Sequence, residues 1–97
     1  MKTIDRKFKI LAVNPVNGKF YTEKNAIILC AKDSAVPAAL KAYRESASRL
    51  GANGAHLNSV DLLIQRVDEY QRTIECRCPD TVGEEIPRCI DGIGVDE

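Results

Sequence analysis

Residues 57–74 read Leu-Asn-Ser-Val-Asp-Leu-Leu-Ile-Gln-Arg-Val-Asp-Glu-Tyr-Gln-Arg-Thr-Ile, and this stretch decides the fold. Leu57, Val60, Ile64, Val67 and Ile74 recur at spacings of three, four, three and seven. That rhythm gathers apolar groups on one side of an α-helix. Leu63 and Tyr70 widen the stripe, while Asn58, Asp61, Gln65, Asp68, Arg72 and Glu75 fill the opposite face. Asn53 is placed to cap the helix, which the pattern carries to about Arg77, with Pro79 just beyond. At 1.5 Å per residue such a helix spans roughly 34 Å. Asp68 and Arg72 stand four apart, a spacing at which opposite charges pair on a wet face.

Immediately before it, residues 34–50 repeat the device with Val36, Leu40, Tyr43, Ala47 and Leu50. Ser34 or Asp33 is the candidate cap, Pro37 is tolerated in the first turn, and Gly51 marks the stop. Two amphipathic helices joined by a Gly/Asn-rich turn make an antiparallel hairpin that has to bury its seam.

Further upstream the period changes. Residues 7–13 alternate Lys7 and Lys9 with Phe8 and Ile10 and then run apolar to Val13, which reads as a strand. Asn14 to Lys19 is dense turn chemistry, and Phe20-Tyr21 reads as the returning strand of a β-hairpin. Thr22 with Glu23 suits a helix start, so the apolar run 26–31 is expected to be a short helix, with a buried strand as the rival. Beyond Cys78, Pro79, Gly83, Pro87, Gly92 and Gly94 break every regular pattern. The expected fold is therefore α+β and mainly helical. It comprises an N-terminal β-hairpin, a short helix, a long antiparallel αα-hairpin and an irregular C-terminal tail. Residues 1–78 are expected to form a single globular domain and residues 79–97 a partly disordered tail.

The chain has 97 residues, enough for one modest core. Lys and Arg number 14, as do Asp and Glu, so the basic excess typical of nucleic-acid binding is missing. No apolar run approaches the roughly 20 residues a membrane helix needs. The N-terminus turns charged at once, without the apolar segment of a signal peptide. These features predict a cytoplasmic protein with reduced thiols, and the opening Met1 a complete small product.

The sequence offers little chemistry. Cys76, Cys78 and Cys89, with Cys30 or His56, form one C-x-C pair without a second, a weak zinc pattern better read as incidental thiols. The same spacing would allow Cys76 or Cys78 to bridge Cys89 under oxidising conditions. His56 is the only histidine and lacks a thiol or carboxylate partner in an evident triad. No catalytic residues, metal site or cofactor are therefore expected. Lys19, Tyr21 and Lys24 surround a turn whose backbone N–H groups would suit a small anionic ligand such as a nucleotide. That is the alternative to the favoured reading, a non-enzymatic binding or assembly protein that pairs with itself. Small charge-balanced helical chains of this kind are common among accessory proteins of bacteria and their phages. The C-terminal third of the long helix outreaches its neighbour, so Val67, Tyr70, Gln71 and Ile74 are the expected contact of a homodimer or a multiple of one. Gln71, a polar group in an apolar seam, would set its register.

Overall fold

The computed structural model describes residues 2–80. The architecture is α+β and mainly helical, with element order β1 (Leu11–Val13), β2 (Phe20–Thr22), α1 (Val36–Arg49) and α2 (Gly54–Thr73). The chain divides into two compact units, one containing residues 2–28 and the other residues 29–79. The expected irregular tail beyond Asp80 lies outside the described residues.

In the first unit β1 and β2 pair antiparallel, with Leu11 opposite Thr22, Ala12 opposite Tyr21 and Val13 opposite Phe20. Asn14 closes the turn by accepting from Gly18 N–H and donating to the Lys19 carbonyl, and Gly18 supplies the positive φ of 75°. The strand starts at Leu11 rather than Lys7 because carboxylates take the earlier backbone donors. Asp5 Oδ1 accepts from Lys7 N–H at 2.9 Å and Phe8 N–H at 2.7 Å, and Glu23 Oε1 accepts from Ile10 N–H at 2.8 Å. Asp5 Oδ2 accepts from Ile28 N–H at 2.9 Å. Asp5 is thus a buried hub, 6% exposed, that ties residues 5–8 to residue 28.

The short helix expected over 26–31 does not form. Thr22 belongs to β2, and Asn25 folds back on it through two hydrogen bonds, making a turn where the helix was to start. Ile28 N–H is used by Asp5 instead of a carbonyl four residues earlier. The paired β-branched residues Ile27 and Ile28 add to the cost of a helix there.

The second unit is the αα-hairpin. Asn53 caps α2 by accepting from His56 N–H at 2.8 Å, and Gly51 makes the turn with φ 95°. Helix α1 is capped differently from expectation. Its N-cap is Ala35, without a side-chain bond, and Asp33 instead braces the entry by accepting Ala35 N–H at Oδ1 and Val36 N–H at its carbonyl. Val36, Val60 and Val67 are buried, with Leu40, Ala47, Leu57 and Ile64 half-buried, whereas Tyr43, Leu50 and Ile74, also expected in the seam, are exposed.

Helix α2 ends at Thr73, four residues short of the expected Arg77. Arg77 N–H donates to the Lys32 carbonyl and Ser34 N–H donates to the Arg77 carbonyl, forming an isolated parallel bridge between Asp33 and Arg77. Cys78, preceding Pro79, is also disfavoured from helical backbone. Gln71 reinforces this stitch, its Nε2 donating to the Ala31 carbonyl at 2.9 Å and the Asp33 carbonyl at 2.7 Å.

Candidate functional site

The two flanks of the αα-hairpin differ in chemistry. On one flank Arg44 of α1 grips Asp61 of α2 in two hydrogen bonds, Nε to Oδ1 at 2.6 Å and a terminal amine to Oδ2 at 3.1 Å. Asp61, expected on a purely solvated face, is therefore an interhelical partner. Its hydrogen bond first, and its charge second, raise the Arg44 pKa. The pair is partly exposed and open to screening by salt.

The other flank is apolar and uncovered. His56, Leu63 and Tyr70 repeat at seven residues along α2, with Ile74 four beyond, so they share one side of the helix. Asp61 lies about 200° around the helix from Leu63 and thus on the far flank. On α1, Ala39, Tyr43, Ser46 and Leu50 follow at four, three and four residues and are all exposed. The stripes meet where the Tyr43 hydroxyl and His56 Nε2 lie 2.9 Å apart, their rings edge to face at 5.9 Å. An open depression of about 400 Å³ lies there, lined by Tyr43, Ser46, Ala47, Leu50, Gly51, Ala52 and His56. Leu63 is 47% exposed and Ile74 69% exposed, both far above the level of a packed seam residue.

The four residues expected to contact a second copy are not alike. Val67 is buried within the hairpin, and the Gln71 amide is used by the chain's own backbone rather than facing outward. Tyr70 is half-buried and Ile74 exposed. The expected Asp68–Arg72 pair is not among the ion pairs of the described residues. Both side chains instead line a depression with Gln71 and Cys76.

Lys19, Tyr21 and Lys24 are exposed at the β-hairpin. Strand alternation puts Tyr21 on the face away from Phe20, with Lys19 two residues before it. The turn itself has few donors to offer. Val16 N–H donates to Asn14 Oδ1, Lys19 N–H to Asn17 Oδ1 and Gly18 N–H to the Asn14 carbonyl. An anion there would be held by side chains rather than by the backbone cradle the sequence suggested.

Cys30, Cys76 and Cys78 are free thiols, and Cys89 lies outside the described residues. Among the described residues no group of three His, Cys, Asp or Glu side chains is placed to hold a metal ion. No helix among them is long and apolar enough to cross a membrane. The Tyr43–His56 contact and the Arg44–Asp61 pair escaped sequence reading because Tyr43 was assigned to the seam and Asp61 to the solvent. Comparison with protein families, with curated proteins and with solved structures finds no match to this chain.

Proposed function

We propose that this is a small non-enzymatic binding and assembly protein that acts as a homo-oligomer, pairing through the apolar flank of its αα-hairpin. The observation that carries this reading is the imbalance of burial. Among the described residues only Ile10, Val36, Val60 and Val67 are buried apolar groups, while large apolar side chains on both helices stay exposed. A unit of about 50 residues with so thin a core usually needs a supplement, and oligomerisation is one of the few available. A second copy is the natural cover. With α1 about 21 Å and α2 about 30 Å long and each about 10 Å wide, the two-helix face offers about 500 Å² in projection. Stable interfaces use roughly 800 Å² of accessible surface per partner, so the flank is of the right order. Two hairpins apposed on this side make a four-helix arrangement with Leu63, Tyr70 and Ile74 inside it. Twofold symmetry would place Ala39 and Ser46, small groups on α1, where a partner backbone can approach.

The adjacent leucines of α2 supply the test. Both are exposed, but Leu62 lies about 200° around the helix from buried Val60, whereas Leu63 belongs to the flank. Light scattering on a Leu63→Glu, Ile74→Glu double variant is expected to return half the wild-type mass with helical circular dichroism kept. Leu62→Glu is expected to leave the mass unchanged. Equal masses for all three proteins would refute the assignment of the contact.

A further inference from the structure

The β-hairpin keeps one of its backbone edges open. Asn14 N–H donates to the Lys19 carbonyl in the same register that pairs Leu11 with Thr22, Ala12 with Tyr21 and Val13 with Phe20. Bonded and non-bonded pairs alternate along an antiparallel ladder, so Ala12 bonds across to Tyr21 while Leu11 and Val13 turn their N–H and C=O groups outward. On β2 the matching outward groups of Thr22 are taken, its N–H donating to Asn25 Oδ1 and its carbonyl accepting from Asn25 N–H. On β1 the outward groups of Leu11 and Val13 have no partner among the described residues. Leu11 is 84% and Val13 53% exposed, and with Phe20 they form an apolar face on one side of the ribbon. An unpaired edge of this kind is a template for a further strand.

The charge around this edge is of one sign. Residues 2–28 carry six Lys or Arg against Asp5 and Glu23, and both of those carboxylates accept from backbone N–H groups. Lys9 is exposed just before β1, and Lys19 stands on the side of Ala12 and Tyr21. A second copy would bring the same positive charge to the edge. Insertion of the apolar face into lipid would leave the outward backbone groups without partners in hydrocarbon. An extended acidic segment meets both demands, because its backbone supplies the missing hydrogen bonds and its carboxylates the missing charge.

We propose that the open edge of β1 takes up, as a third strand, an extended segment of a partner protein in which acidic and apolar residues alternate. The segment's backbone pairs with the outward groups of Leu11 and Val13. Its apolar side chains continue the face of Leu11, Val13 and Phe20, and its carboxylates fall on the opposite side with Lys19. This surface belongs to the first unit and not to the αα-hairpin, so strand addition and self-association are read separately.

Nuclear magnetic resonance on the ¹⁵N-labelled full-length chain tests this. A short acetylated peptide of alternating Glu and Val is expected to shift the amide signals of Leu11 and Val13. At about ten times its dissociation constant it is expected to slow their hydrogen exchange by about tenfold. A peptide of alternating Lys and Val is expected to do neither. Val13→Pro removes one outward donor and no ladder bond, since proline is accepted where an edge N–H faces solvent. With the cross-strand contact of Leu11 and Thr22 retained, the Leu11 shift is expected to disappear in that variant. Lys9→Glu with Lys19→Glu, which leaves every backbone group in place, is expected to weaken the peptide by about tenfold. Leu11 and Val13 signals unmoved by the Glu-Val peptide would overturn the proposal, as would an equal response to the Lys-Val peptide or a Val13→Pro chain that binds like the parent. The same shifts produced instead by phosphatidylglycerol vesicles, or by added unlabelled chains, would also overturn it, the occupant then being a lipid surface or a second copy.

Discussion

Val67→Asp is expected to unfold the αα-hairpin at 25 °C. Val67 is buried on the seam, among the few buried apolar groups of the described residues. An uncompensated buried charge costs about 3–5 kcal/mol, comparable with the whole stability of a small unit. Val60→Asp is expected to behave alike, since Val60 lies seven residues earlier on the same side. Gln65→Ala, on the exposed face, is expected to change stability by less than about 0.5 kcal/mol. Helical circular dichroism during urea titration reads all three. Equal midpoints for Val67→Asp and Gln65→Ala would mean that the seam is not where the hairpin is held.

The second large effect concerns the first unit. Asp5→Ala removes the acceptor of three backbone N–H groups, those of Lys7, Phe8 and Ile28. These bonds are only part-buried, but a hydrogen bond to a charged group contributes about 1.5–3 kcal/mol, so loss of three at one hub gives an expected total of at least about 3 kcal/mol. Amide hydrogen exchange at Lys7, Phe8 and Ile28 is then expected to accelerate by about 100-fold or more, at tenfold per 1.4 kcal/mol. Asp5→Asn keeps one oxygen acceptor and the shape, so its effect is expected to lie between those of Asp5→Ala and the parent. Exchange rates in Asp5→Ala equal to those of the parent would show that residues 5–8 are held by something else.

What the sequence revealed and what it concealed follow from the range of the interactions involved. The two helices were legible because periodicity, the Asn53 cap and the Gly51 stop are local signals that agree with one another. The β-hairpin was legible for the same reason, through the Asn17-Gly18 turn and the alternation around it. Asp5 was not. Nothing in Ile4-Asp5-Arg6 announces that its carboxylate will gather donors as far along the chain as Ile28. The false helix at 26–31 has the same origin, because Thr22-Glu23 carries a local cap signal that strand pairing at Thr22 overrides. Gln71 is an anomaly in the seam, and its partners are the Ala31 and Asp33 carbonyls, forty and thirty-eight residues away. The premature end of α2 belongs to the same stitch. The exposed apolar flank was half legible. The stripe that contains Tyr70 and Ile74 could be read by spacing, but the division between Val67 inside and Leu63 outside needs the position of α1.

These features place one uncovered apolar flank on the αα-hairpin and make self-association the central claim. Sedimentation equilibrium of the full-length wild-type chain across the micromolar range tests it most directly. The expected result is twice the chain mass or a multiple of that, shifting toward the single-chain mass only on dilution. A single-chain mass at every concentration would contradict the account.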